Sequence, residues 1–341
     1  MIWSKLLFNP VRFSLFVLVL TLLTGCSGGD AEKTGHDHNE TSASVGQTYS
    51  GEYPIQALAT IGQVAEMVER VGGEHIEVKQ LMGPGVDPHL FRPVASDTKA
   101  LRDAEAIFYS GLHLEGRLTD LFVQLARKKL TYAVTIGLLT NEDERLREPP
   151  EFDGMHDPHV WHDVAIWSQC VEDLADELAT YDPKHAEDYK ANAAKYRAEL
   201  AELDSYVKQQ MQTIPEERRV LVTAHDAFGY LGKAYGIEVY GLKGISSELE
   251  KDLEHQEEIQ AMLIEKQIPA VFVESAIAPR TIEALVEPCR AAGLDLQIGG
   301  TLYADVLGEK GTDAGTYAGM IRHNVDTIVT ALTRDATLSE E

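Results

Sequence analysis

DPKHAEDYKANAAKYRAELAELDSYVKQQMQTIP, residues 182–215, is the stretch that decides the architecture. Asp182 can cap a helix, Pro183 suits a first helical position, and Pro215 ends the run. Between them Tyr189, Ala193, Tyr196, Leu200, Leu203, Val207, Met211 and Ile214 recur at three- and four-residue steps, one apolar stripe on one face. About thirty residues at about 1.5 Å each make a rod of roughly 45 Å. A helix of that length between two α/β halves is a stiff joint. The plainer alternative is a helix packed across a single domain.

The flanks favour the joint. Before the helix, Ile55–Thr60, Ile76–Met82, Ala106–Tyr109 and Thr131–Ile136 read as strands. They alternate with helices at Ile61–Val71, Ser96–Ala104 and Val164–Leu178. After it, Val220–Thr223, Glu238–Tyr240, Ala270–Val273 and Leu294–Ile298 read as strands, the last followed by a Gly299-Gly300 turn. Helices are expected at Leu249–Lys266 and Pro279–Ala292. Glu248, Glu250, Glu254, Glu257 and Glu258 are assigned to the solvated face of the first of these. Short apolar strands separated by helices predict an α/β fold with mainly parallel sheets flanked by helices. The expected boundaries are an N-terminal lobe at 54–182, a linking helix at 183–214 and a C-terminal lobe at 215–341.

The first residues stand apart. Lys5 and Arg12 precede the weakly polar to apolar run Phe13–Leu23, which is too short to span a bilayer as a helix of about twenty residues. It closes with Leu23-Thr24-Gly25-Cys26, which resembles a bacterial lipobox. Residues 1–25 are then a lipoprotein signal peptide and Cys26 the lipidated first residue of the mature chain. Ser27–Tyr53 is small and polar, the composition of a flexible tether. A formal net charge of −25 argues against nucleic acid and against an anionic membrane face, while favouring the approach of cations. Cys170 and Cys289 fall in different lobes, so two buried free thiols are expected in preference to a disulfide.

Of the twelve histidines, two share a tripeptide: Asp87-Pro88-His89 recurs as Asp157-Pro158-His159. Proline fixes the backbone ahead of the ring, and the aspartate can bond nearby amides, so the turn presents an imidazole in one orientation. His89 also follows a strand through Gly83-Pro84-Gly85, where ligands collect in open α/β sheets. His225 follows the strand Val220–Thr223 directly. Asp305 follows a strand in Leu302-Tyr303-Ala304-Asp305-Val306.

In their order, Gly85-Val86-Asp87-Pro88-His89-Leu90-Phe91, Phe108-Tyr109-Ser110-Gly111-Leu112-His113-Leu114-Glu115, Asp157-Pro158-His159-Val160-Trp161, the His225 run, Phe272-Val273-Glu274-Ser275 and the Asp305 segment resemble the TroA-like, or cluster A-I, metal-binding proteins of ABC transporters. The resemblance covers nearly all of the chain from Tyr53 onward. It implies two lobes joined by one rigid backbone helix, the class III arrangement of periplasmic binding proteins, with a metal at the interface. Carried over, the ligands are His89 and His159 from the first lobe and His225 and Asp305 from the second. His113, His156 and His162 are left as supporting or surface residues. Glu274 and Arg280 flank the interface strand, and Arg280 is expected to add a hydrogen bond behind the site.

Three neutral imidazoles and a carboxylate suit a borderline divalent ion. Four protein donors leave no position for an activated water, which points to carriage and away from catalysis. The expected cargo is manganese or zinc, with iron a third option. Family members devoted to manganese often place a carboxylate where His225 stands. Those devoted to zinc often carry a histidine-rich loop where Asn141–Asp157 is acidic. His36 and His38 in the tether are read as solvated. The expectation is a monomeric lipoprotein, held outside the cytoplasm by lipid on Cys26, that serves an ABC permease and is not an enzyme. The rivals are a secreted zinc hydrolase, which needs three ligands, a vacancy and a general base, and a surface adhesin with an incidental metal.

Overall fold

Residues 48–152 and 154–334 are described by the structure, a computed structural model. The expected signal peptide 1–25, the lipidation candidate Cys26, and His36 and His38 lie outside the described residues. Among the described residues no helix is long and apolar enough to cross a membrane.

The first half runs β1 (Ile55–Ala59), α1 (Gly62–Gly72), β2 (Ile76–Gln80), α2 (Ala95–Asp103), β3 (Ala106–Tyr109), α3 (Thr119–Ala126), β4 (Leu130–Ala133), α4 (Ile136–Thr140) and α5 (Val164–Tyr181). Its strands form one parallel sheet in the order β2-β1-β3-β4. All residues of β3 and β4 are buried, as expected of a sheet covered on both faces. The chain leaves β1 toward β2 on one side and returns to β3 on the other. That reversal opens a crevice at the carboxyl ends of the strands. The segment expected to end β4 at Ile136 instead begins the short α4.

After α6 (Ala186–Met211) come β5 (Val220–Thr223), α7 (Gly229–Tyr235), β6 (Glu238–Gly241), α8 (Leu253–Lys266), β7 (Ala270–Glu274), α9 (Arg280–Ala291), β8 (Gln297–Leu302) and α10 (Tyr317–Thr333). Here the strands pair as β5–β6 and β7–β8, both parallel, with β5 packed beside β7. Two expectations need correction. Gly299 and Gly300 lie inside β8, not in a turn after it: a Cβ on Gly299 would come within 2.6 Å of Ala331 Cβ, so glycine lets α10 lie close on the sheet. Helix α8 starts at Leu253 because the Asp252 carboxylate caps it, accepting from the His255 N–H at 3.0 Å. Glu248 and Glu250 therefore belong to a loop.

The apolar stripe of α6 is buried along its length, from Tyr189 to Met211, and Pro183–His185 adds a tighter turn ahead of it. Asp182 does not cap the helix backbone. Its carboxylate accepts instead from the Tyr53, Tyr189 and His185 side chains at 2.8, 2.6 and 2.8 Å. The last residues of the expected tether are consequently fixed: Tyr49 donates its N–H to the Tyr181 carbonyl at 2.6 Å and sets its ring edge against Tyr53. Cys170 and Cys289 are buried free thiols.

Beyond β3, Gly111, Leu112 and His113 all have positive φ, at 92°, 52° and 64°. The buried Glu115 carboxylate holds this left-handed loop, accepting from Thr60 Oγ1 at 2.6 Å and from the N–H groups of Ser110 and Gly111 at 2.8 and 3.3 Å. Burial outweighs these bonds and pushes the Glu115 carboxyl up to about 7. An acid raised in this way stabilises the fold fully below its unfolded value, and the benefit is lost as pH rises through about 7. Glu115→Gln should therefore gain on the parent by about 3 kcal/mol in metal-free urea unfolding between pH 4.5 and pH 7.5. A gap between the two proteins that does not change with pH contradicts this.

Candidate metal centre

Four loops at the carboxyl ends of strands, or opposite them, meet between the halves. His89 arrives through the Gly-Pro-Gly turn after β2, in which Gly85 has φ 74°. His159 precedes the helical turn Val160–His162, and His225 leaves β5. A Cβ on Gly241 would lie 2.3 Å from the Asp226 main-chain nitrogen, so glycine there lets β6 close against the loop that bears His225. Asp305 follows β8. The Trp161 Nε1 and His162 Nε2 atoms both contact the Ala304 carbonyl, at 2.8 and 3.0 Å, while Asn324 of α10 binds both main-chain groups of Tyr303. The first half and α10 thus fix the residues just ahead of Asp305.

One donor atom from each of His89, His159, His225 and Asp305 lies within 4.8 Å of all the others, and all four residues are buried. His89 Nε2 and His159 Nε2 are 3.1 Å apart. Asp305 oxygens lie 3.6, 3.3 and 3.3 Å from the Nε2 atoms of His89, His159 and His225. Donors about 2.0–2.2 Å from one tetrahedral ion would stand about 3.3–3.6 Å from each other. The observed spacings surround that value. His225 Nε2 and Asp305 Oδ1 are buried with no hydrogen-bond partner, which an ion among them would resolve.

Carboxylates behind the rings choose which nitrogen faces inward. Asp157 Oδ1 accepts from His159 Nδ1 at 2.7 Å and from the His159 main-chain N–H at 3.0 Å. Glu274 accepts from His225 Nδ1 at 2.6 Å and from its main-chain N–H at 2.9 Å. A proton held on Nδ1 leaves Nε2 as a lone-pair donor and raises its basicity. Arg147 in turn binds the other Asp157 oxygen. Burial opposes charge on both rings, yet Asp157 and Asp305 carry His159 up to about 9, and Glu274 and Asp305 carry His225 well above its ordinary range. At His89 burial, aided by the His159 and His225 rings, outweighs Asp305, and the imidazole is pushed down to about 3. Asp305 is held well below the usual carboxylate range: burial works against this, but the His225 and His159 rings overcome it.

All four ligands expected from the sequence are brought together. His162 is buried against Phe228 and pairs with the Ala304 carbonyl, and His156 sits beside Glu148. Arg280 does not meet its expectation: it stands exposed in the first turn of α9, and among the described residues no hydrogen bond links it to the four donors. The strand-end carboxylate Glu274 occupies that supporting place. Asp157 does more than its turn role suggests, because one oxygen serves both the amide and the ring of His159. Arg147 carried no signal in sequence, lying in an irregular loop without periodicity.

Residues 58–331 match the model of the family described as zinc-uptake complex component A, periplasmic (ZnuA). The chain belongs to this family. It is 41% identical over 326 residues to the manganese-binding lipoprotein MntA of Bacillus subtilis, across 96% of this chain and 98% of that one. It is 42% identical over 277 residues to the zinc-binding protein TroA of Treponema pallidum, across 81% and 88%. The solved structure of that periplasmic zinc-binding protein superposes with a TM-score of 0.77 over 83% of this chain and all of the other, at 40% identity. The manganese ABC transporter substrate-binding lipoprotein PsaA of Streptococcus pneumoniae is 26% identical across 94% and 97%.

The ring orientations can be checked without any ion. In chelator-treated protein, imidazole-detected nitrogen–proton NMR should show far-downfield, slowly exchanging Nδ1 protons on His159 and His225. Asp157→Asn should remove the first only and Glu274→Gln the second only. Retention of both in the variants contradicts the assigned bonds.

Proposed function

We propose that this chain is an extracytoplasmic substrate-binding lipoprotein of an ABC importer, which captures a divalent transition metal between two lobes and delivers it to a membrane permease. The observation that carries the reading is the buried quartet: four donor atoms within 4.8 Å, two residues from before the linking helix and two from after it. In this reading His89, His159, His225 and Asp305 are the ligands. The lobes are residues 54–182 and 215–341, joined by 183–214. Cys26 carries the lipid, residues 26–53 are the leash, and the protein acts as a monomer on the outer side of a membrane.

The donor chemistry supports a cargo and not a reagent. Three imidazoles and a carboxylate complete a four-coordinate shell, whereas a hydrolytic zinc needs an open position for water. Two ligands on either side of the joint also tie occupancy to lobe separation, since a small opening removes half the shell. No thiolate takes part, so release does not await protonation of sulfur. Manganese and zinc are the cargoes that the names of the relatives favour; the borderline donor set ranks zinc above manganese by intrinsic affinity. The net charge of −25 suits cation approach and disfavours nucleic acid.

Competition titration with a metal-sensitive dye tests this. His159→Ala should weaken zinc and manganese binding by about a hundredfold or more, because a buried carboxylate and two rings lose their shared partner. His156→Ala, beside Glu148 and outside the quartet, should leave binding within about twofold of the parent. Equal losses in the two variants would overturn the ligand assignment.

A further inference from the structure

We propose that the consecutive residues Ser247 and Glu248, on the loop between β6 and α8, are positioning residues for His89, and that they set how fast the bound ion leaves. The inference rests on the proposed metal-binding reading and adds to it the ligand through which the shell opens.

His159 and His225 are each fixed by a buried carboxylate that holds both ring and main chain, Asp157 in one case and Glu274 in the other. His89 is held differently. Its N–H donates to Asp87 Oδ1 at 2.9 Å, and its carbonyl receives a long contact of 3.5 Å from Arg117 Nε. Both of these side chains reach across to the other lobe. The second Asp87 oxygen accepts from the Ser247 hydroxyl at 2.5 Å, and the Arg117 guanidinium pairs with Glu248. The main chain of His89 is therefore gripped on both sides, at its N–H and at its carbonyl, by groups whose outer partners are neighbours on the second lobe. Lobe separation would break both outer links together and free both inner ones.

Exposure agrees with this role. His89 is 8% exposed, whereas His159 and His225 are fully buried. Asp87 is partly buried and Glu248 exposed at the rim, so the first link is shielded and the second is open to salt. The loop itself is tied to its own lobe, since the Lys243 N–H donates to the Ala224 carbonyl at 3.0 Å and the Asp226 N–H donates to the Gly244 carbonyl at 3.1 Å. Movement of the loop thus means movement of the lobe. His89 is the ligand that lets go first.

Stopped-flow transfer of zinc from loaded full-length protein to excess chelator tests the proposal. Ser247→Ala should speed release about tenfold, the loss of one hydrogen bond to a charged group, with the association rate little changed. Ser247→Thr keeps the hydroxyl and should restore the parental rate. Glu248→Gln should speed release less and abolish most of its dependence on salt. A merely structural role predicts a lower unfolding temperature of the metal-free variant with release unaltered, and that result would overturn the proposal. Should Ser247→Ala and Ser247→Thr release equally fast, the hydroxyl link is likewise wrong. Protein that takes up no zinc before the chase would instead defeat the metal-site reading itself.

Discussion

An aspartate carboxylate set among three imidazole nitrogens, out of contact with water, is the constraint on which the rest depends. Asp305 lies 3.3 Å from two Nε2 atoms and 3.6 Å from a third, while two of those rings face each other at 3.1 Å. Without a cation the charges must balance one another: Asp157 and Asp305 raise His159, Glu274 and Asp305 raise His225, and those two rings in turn depress Asp305 against its burial. A divalent ion satisfies every donor at once. The fold is the device that assembles this arrangement from two directions and keeps water out.

Rigidity is supplied from outside the shell. Asp157 and Glu274 each hold the Nδ1 side of one ring, His159 before the linking helix and His225 after it, which turns Nε2 toward the centre of the cluster. Trp161, His162 and Asn324 fix the chain just ahead of Asp305. Of the three histidines, His89 alone has no carboxylate behind its ring, and its main-chain contacts, through Asp87 and Arg117, lead to Ser247 and Glu248 across the cleft. A carrier has to bind tightly and still release, and one donor held less directly than the others would reconcile the two requirements. The buried stripe of α6 complements this by making the joint stiff.

Much of the fold and the paired histidines His89 and His159 were legible in the sequence for physical reasons, whereas His225 and Asp305, weak signals singly, joined them only through the family resemblance. The Asp-Pro-His repeat is readable because proline and a short carboxylate impose the turn locally. The long helix is readable because its stripe and its flanking prolines are local too. What escaped depends on distant packing. Helix α10, from Tyr317 to Thr333, has a regular buried stripe and a capping Thr316, yet its β-branched Val325, Thr327, Ile328, Val329 and Thr330 weaken the helical signal. Gly299-Gly300 reads as a turn until one sees Ala331 pressed against it. Arg147, Ser247 and the second role of Asp157 appear only when loops far apart in sequence are brought together.

Anomalous X-ray diffraction from crystals loaded separately with zinc and with manganese, each recorded across its absorption edge, is the most direct test. The account predicts a single strong peak bonded to Nε2 of His89, His159 and His225 and to the Asp305 carboxylate, with no water in the shell. A principal peak elsewhere, or an ion held by three of these groups with a water in the fourth position, would contradict it.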